Sequence, residues 1–314
     1  MQGSCVGGLT ERAAQWLGLC VDTPVAAAMI DAHAALPGAG VTEPGRMAMI
    51  LGTSTVHMMV DQFKNSVPGI TGVIEDGMVP GLVAYEGGQA GVGDIFEWFV
   101  EHAVPAEYFD QAKTRGISVF QLLENQAAQQ KPGEHGLLAL DWWNGNRSVL
   151  ADAGVSGMLI GATLGTRAPD IYRALIEATA FGTQIIIETF EANGARVNEI
   201  VACGGLAERN ALLMQIYADV TGRAIDQSAS AQTSALGAAI LAATAAGVYD
   251  SVATAVKCMT QPPKKIYYPI SRNHAIYQQL FAEYRRLHNY FGRDENPVMK
   301  NLRRIQLAAR NEYL

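Results

Sequence analysis

Four apolar runs in this chain end on residues able to do chemistry. Val25–Ile30 leads into Asp31-Ala-His33, and Met47–Leu51 leads into Gly52-Thr53-Ser54-Thr55. Gly81–Tyr85 leads into Glu86-Gly-Gly-Gln89, and Glu199–Cys203 into the pair Gly204-Gly205. Short apolar runs bounded by glycine and proline read as buried strands. In sheet-based α/β folds, ligands sit beyond strand ends, where side chains and loop amides leave the packed core. A carboxylate at one strand end and a small, hydroxyl-rich glycine turn at the next suit phosphoryl transfer: a base for a hydroxyl and a cradle for phosphate. Each feature also has an ordinary structural reading. An Asp after a strand commonly forms a turn or caps a helix. Gly-Thr-Ser-Thr is frequent loop chemistry, and a glycine pair can be only a tight turn.

The elements that must position these residues follow from the pattern. Thr10–Leu19 reads as a short helix capped by Thr10 and ended by Gly18. Met47–Val60 reads as a hairpin around the glycine turn. A helix is expected near Gly93–Ala103, with Ile95, Phe96, Phe99 and Val100 on its core face, then two short helices between Pro105 and Gln130, broken at Gly116. Gly136–Leu140 is a strand, followed by the aromatic loop Asp141–Arg147, whose Trp142 and Trp143 more often wedge a loop onto the core than stack on a ligand. The longest helix opens at Pro169-Asp170, runs to about Asn193 and is closed by Gly194. Its residues Ala178, Ala180 and Gly182 are small enough for close packing on a sheet. After Gly204-Gly205 the pattern predicts a helix over 207–220, a strand-like run over 223–227 and an Ala-rich helix over 233–246. An amphipathic helix over 273–291 follows, with Ile276, Leu280, Phe281, Tyr284, Leu287 and Tyr290 as its stripe. The charged tail after Gly292 is expected to fray.

Composition excludes several classes. At 314 residues, 49% hydrophobic and 17% charged, the chain can bury a substantial core. A net charge of −7 argues against a nucleic-acid partner, which requires a basic face. Cys5, Cys20, Cys203 and Cys258 are scattered, which fits reduced thiols in a cytoplasm better than disulfides or a zinc site. The opening residues carry no signal-peptide pattern. The most apolar tract, 235–248, is shorter than the roughly 20 residues a membrane span needs. No P-loop and no G-x-S-x-G elbow is present, and Gly91-Val-Gly93 lacks the third glycine of a dinucleotide turn. Asp31 and His33 would share a face if extended, but no further ligand stands at metal-binding spacing.

Longer stretches carry a resemblance. Asp170–Gly182, Ala202–Asn210, Met214–Asp219 and Ala235–Ala239 resemble the C-terminal half of FGGY carbohydrate kinases. Ile30–His33, Tyr85–Gln89 and Leu138–Ser148 look like the ribulokinase branch of that family, and the likeness covers nearly the whole chain in order. The resemblance implies an α/β fold of the ribonuclease H-like, actin-like ATPase type, with a mixed sheet flanked by helices. It implies ATP-dependent phosphorylation of the 5-hydroxyl of L-ribulose, with Mg²⁺ arriving on the nucleotide and no protein metal ligand assigned. Asp31 then matches the catalytic base and contacts substrate, and Glu86 contacts the sugar. Gly52 and Thr53 match the phosphate turn, Gly204, Gly205 and Asn210 the adenosine turn, and Gly93 lines the nucleotide cleft. It further implies that residues 1–292 form the C-terminal kinase domain, that 293–314 form a tail, and that the N-terminal domain with its Asp-x-Gly-Thr loop is absent. A cleft face left open in that way would favour association into a homo-oligomer. Two other readings stay open: a kinase of this family for xylulose, D-ribulose or another polyol, and a non-catalytic nucleotide-binding or oligomerisation module.

Overall fold

A computed structural model describes residues 2–293 and 295–311. The chain opens with β1 (Cys5–Gly8), α1 (Glu11–Leu17), β2 (Pro24–Ala26) and α2 (Asp31–Gly38). The sheet-building segment follows as β3 (Arg46–Leu51), β4 (Thr55–Asp61), β5 (Gly72–Glu75) and β6 (Val83–Gln89). Next come α3 (Gly93–Ala103), α4 (Ala106–Arg115), α5 (Val119–Ala127), β7 (Leu138–Leu140), β8 (Met158–Ile160) and α6 (Ala168–Ala192). The chain continues through β9 (Glu199–Cys203), α7 (Gly205–Arg209), α8 (Ala211–Thr221), β10 (Ile225–Gln227), α9 (Thr233–Ala245) and α10 (Val252–Met259). It closes with β11 (Lys265–Tyr267), α11 (Ser271–Gly292) and α12 (Val298–Asn311).

One seven-stranded sheet orders these strands β11-β10-β9-β3-β4-β6-β5. β3, β4 and β6 form an antiparallel meander, while β3–β9 and β9–β10 are parallel. This is the mixed sheet expected of the actin-like ATPase fold. Side chains alternate across it with the two-residue period of a strand. Met47, Met49 and Leu51 of β3 enter the large core with α3, α5, α6, α8 and α11. Ala48 enters the opposite core with Leu36 of α2, Met58, Val60, Ala84 and Val201. The 25-residue α6 is buried along most of its length, and Asp170 Oδ2 accepts the Arg167 N–H at 2.7 Å to close its first turn. Trp142 is fully buried and packs edge-on to His288, the wedge that the aromatic loop suggested.

Four expectations are corrected. Val25–Ile30 is not a buried strand: β2 covers only Pro24–Ala26, paired with β1, and Asp31 opens the Ala-rich helix α2. An acid in a first helical turn is favoured by the helix dipole. His33 is therefore not on an extended face with Asp31. Glu86 stands within β6 rather than at a strand end, because Gly87 and Gly88 stay in the ladder opposite His57 and Val56. The helix expected over 207–220 is two helices, broken at Asn210, whose side chain accepts the Leu213 N–H at 2.8 Å and caps the second. The tail forms α12 rather than fraying, with Asn296 Oδ1 accepting the Val298 N–H at 3.0 Å at its start. Residues 294 and 312–314 of that tail lie outside the described residues.

Candidate active site

Parallel pairing of β3 and β9 aligns Ile50 with Cys203. The turn Gly52–Ser54 and the pair Gly204-Gly205 therefore leave the sheet side by side at the same end of two neighbouring strands. Their approach is close enough to demand glycine. Gly204 has φ +94°, and a Cβ there would lie 2.4 Å from the Leu51 carbonyl oxygen. A Cβ on Gly93 would lie 2.7 Å from the Gly52 oxygen. The start of α3 is sewn to the turn by Gly93 N–H to Gly52 O at 3.1 Å and Val92 N–H to Thr53 O at 2.8 Å. Thr53 is exposed, and the N–H groups of Thr53 and Ser54 donate to no protein group among the described residues. Free amides, an exposed hydroxyl and no blocking side chain are what a phosphate needs.

Asp31 is exposed at the first turn of α2, with its Oδ1 accepting the Ala32 N–H at 2.8 Å. Helix α2 is fixed by a glycine crossing with α9: a Cβ on Gly38 would sit 1.9 Å from Thr233 O, and one on Gly237 1.7 Å from Ala34 O. Within α2, His33 Nε2 meets Glu86 Oε2 at 2.8 Å. The other carboxylate oxygen, Oε1, accepts from Arg147 Nη2 at 2.6 Å. The hydrogen bond from His33 holds the Glu86 carboxyl below its ordinary range against an opposing effect of burial, and the charges of His33 and Arg147 add to the lowering. Glu86 is thus an ionised acceptor in a largely enclosed place, chemistry suited to hydroxyl donors.

Behind Glu86 lies a buried polar chain. His57 Nε2 is 3.1 Å from Thr183 Oγ1, Thr183 donates to Gln89 Oε1 at 3.0 Å, and Gln89 Nε2 donates to Asp141 Oδ2 at 2.7 Å. Tyr284 donates to Asp141 Oδ1 at 2.6 Å. Gly182 leaves room for this chain, since a Cβ there would lie 2.4 Å from Asp141 Oδ2. Burial pushes the Asp141 carboxyl up and the His57 imidazole down to about 3, so His57 is neutral at ordinary pH.

The structure brings Gly52, Thr53, Gly93, Gly204 and Gly205 together at the C-terminal ends of the central strands β3 and β9, and joins the helix of Asp31 to Glu86 through His33. Asn210 is 5% exposed, and its amide also donates to Tyr172 Oη at 3.2 Å. It is engaged as a helix cap beside the glycine pair. His33 and Arg147 are the residues that sequence reading missed as partners of Glu86. They lie 53 and 61 positions away, and no spacing signal links them.

Residues 47–246 match the FGGY family of carbohydrate kinases, C-terminal domain. The chain is 52% identical over 312 residues to a protein named Ribulokinase from Geobacillus thermodenitrificans, covering 98% of this chain and 55% of that protein. It is 50% identical over 307 residues to Ribulokinase from Mycolicibacterium smegmatis, covering 98% of this chain and 54% of that one. The chain therefore spans about half the length of the curated relatives it matches. Among solved structures it resembles gluconate kinase from Lactobacillus acidophilus, with TM-score 0.80, 20% identity and coverage of 94% and 57% of the two chains. It also resembles xylulose kinase from Rhodospirillum rubrum, with TM-score 0.76, 24% identity and coverage of 91% and 55%. At such identities the likeness is one of fold.

Proposed function

The chain belongs to the FGGY family of carbohydrate kinases, as a C-terminal domain, and from that premise we propose that it is the nucleotide-binding half of an ATP-dependent ribulokinase acting on the 5-hydroxyl of L-ribulose. The reading is carried by the turn Gly52–Ser54, which is closed against Gly93, has Gly204 packed on Leu51 just before it, and keeps unspent amides. Relatives near 50% identity that bear the name Ribulokinase support the choice of sugar.

In this reading Gly52 and Thr53 hold phosphate oxygens of ATP, Gly93 lines the cleft, and Gly204 and Gly205 let the adenosine approach the backbone. Asn210 keeps that second turn in shape by capping α8. Mg²⁺ brought by the nucleotide would supply neutralisation of phosphate charge, with no metal ligand assigned to this chain. Asp31 accepts the proton of the sugar hydroxyl as that oxygen bonds to the γ-phosphorus and the bond from phosphorus to ADP breaks. General-base assistance of this kind is worth about 10²–10⁴-fold. Glu86, held ionised by His33 and Arg147, accepts hydrogen bonds from sugar hydroxyls and fixes the attacking one in line.

The remaining length of the relatives corresponds to the domain that completes the sugar pocket. Its docking face on this chain would include the exposed apolar residues of the first thirty positions: Val6, Trp16, Leu17, Leu19, Val21 and Ile30 are each at least half exposed. The four cysteines are free, which fits a cytoplasmic setting.

The test is ADP release by the two-domain protein with L-ribulose, D-ribulose and xylulose. Turnover fastest with L-ribulose, lost in Asp31→Asn while Mg-ATP still binds by calorimetry, is the expected result. A preference for another ketopentose moves the assignment within the family. Retention of most of the rate in Asp31→Asn removes Asp31 as the base.

A further inference from the structure

Arg147 does more than steady a carboxylate. The loop after β7 fixes it on both sides. Asn146 exchanges backbone hydrogen bonds with Asp152 at 2.9 Å each way, and Ser148 Oγ accepts the Gly88 N–H at 3.1 Å. Between these anchors the arginine stem lies over Gly88 of β6. A Cβ on Gly88 would stand 3.7 Å from Arg147 Cδ, 3.5 Å from its Nη1 and 2.6 Å from the Thr55 carbonyl oxygen. Glu86 and Gly88 are two positions apart on one strand and so share a face. The bare glycine is what lets the guanidinium cross that face to Glu86 Oε1.

The guanidinium is only partly spent. It has five N–H donors and no acceptor. Among the described residues its one hydrogen bond runs from Nη2 to Glu86. The Arg147 side chain is 36% exposed, against 13% for Glu86. Unspent donors therefore stand on the accessible side of the pair. Glu86 also keeps capacity: His33 and Arg147 take one position on each of its oxygens, and an ionised carboxylate offers about four.

The two neighbours thus have opposite hydrogen-bonding sense. The carboxylate only accepts and the guanidinium only donates. An α-hydroxyketone carries the matching pair on adjacent carbons: a carbonyl oxygen that only accepts and a hydroxyl that donates. A polyol has a hydroxyl where the ketose has its carbonyl. That hydroxyl brings a proton to a group that accepts none, and a site built for one hydrogen-bonding pattern discriminates against the other.

Resting on the reading of Glu86 as the acceptor of sugar hydroxyls, we propose that Arg147 is a specificity-determining residue that donates to the ketose carbonyl while Glu86 accepts from the hydroxyl on the neighbouring carbon. The pair then selects a ketopentose over the corresponding pentitol.

Steady-state kinetics of the two-domain protein with L-ribulose and with ribitol test this. Ribitol carries a hydroxyl in place of the carbonyl, and is read as a substrate or as a competitive inhibitor of L-ribulose. Arg147→Met should lower the preference for L-ribulose, taken as the ratio of the two constants, by about tenfold or more, the worth of a hydrogen bond from a charged donor. Arg147→Lys, which keeps the charge and loses the planar fork, should fall between. Glu86→Gln should weaken both compounds and leave the ratio alone. A ratio unmoved in both Arg147 variants, while Glu86→Gln still weakens both compounds, overturns the inference by itself and leaves Arg147 as a positioning residue for Glu86. A fall in kcat with an unmoved ratio overturns it as well, and transfers Arg147 to the migrating phosphoryl group. Unchanged constants in Glu86→Gln would take the sugar away from Glu86, and the inference would go with that reading.

Discussion

The imidazole Nε2 of His33 lies 2.8 Å from Glu86 Oε2, so a side chain of α2 and one in the middle of β6 grip each other across 53 residues of sequence. The helix that presents Asp31 is thereby tied to the carboxylate that would bind the sugar.

Replacing His33 by Ala should let the Glu86 carboxyl rise toward its ordinary value of 4.5, because the hydrogen bond from His33 is the largest cause of its lowering. A carboxyl-detected NMR titration of this chain reads that shift directly. The sign for stability follows. A depressed folded value stabilises the protein above the ordinary carboxylate range, and that stability is lost as pH falls through the folded value. An unmoved Glu86 resonance in His33→Ala would refute the coupling.

His57 is buried and neutral, with its imidazole lowered from 6.5 to about 3 by burial first and by Arg147 second. The unfolded chain takes up a proton on this residue below pH 6.5 and the folded chain does not. Stability should therefore fall on acidification from pH 6.5 toward 3, by at most about 1.4 kcal/mol per pH unit from this group. His57→Gln should flatten that limb in urea titrations at pH 6.5 and 4. Parallel limbs for the two proteins would mean that another group governs acid stability.

Gly204→Ala and Gly205→Ala should separate. The first places a methyl 2.4 Å from the Leu51 carbonyl oxygen at φ +94°, against rigid backbone on both counts. A cost of about 1–3 kcal/mol is expected, visible as a lowered urea midpoint. The second meets only the end of the Arg209 side chain, which can swing away, so the midpoint should move little. Equal losses in the two variants would count against the close approach of β3 and β9 as the reason for the glycine pair.

Gly237→Ala should loosen the seat of Asp31 without touching it. Its methyl would stand 1.7 Å from the Ala34 carbonyl oxygen, so α2 and α9 must separate. Overpacking of this kind costs about 1–3 kcal/mol. Hydrogen exchange should speed up in 31–40 relative to the sheet. Unchanged protection of α2 would show that the crossing is not what fixes it.

Most of the element order was legible because it is written in local physics. Thr10 and Gly18 bound α1, the apolar period marks α3 with Ile95, Phe96, Phe99 and Val100 inward, and Gly116 separates α4 from α5 with a left-handed residue. The glycine turn between β3 and β4, and the strand–glycine–helix step after β9, were equally readable, since a short loop between paired strands leaves few alternatives. The same local signals misled where a neighbour decided the outcome. Gly87 and Gly88 read as a strand end, yet β4 holds them in the ladder. Val25–Ile30 read as a buried strand, yet only β1 was available to pair with it, and for three residues.

The residue types alone determined that this chain carries a carboxylate, a second acid, a small hydroxyl-rich glycine turn and a glycine pair; the roles that the family likeness implies for them are a proposal. Only the tertiary structure decided which of them meet. The partners of Glu86 come from α2 and from the loop after β7, and the polar chain from His57 to Tyr284 draws on five separate segments. Such contacts depend on the sheet order and on the glycine crossing of α2 with α9. They are long-range packing events, and a linear sequence carries no periodicity that records them.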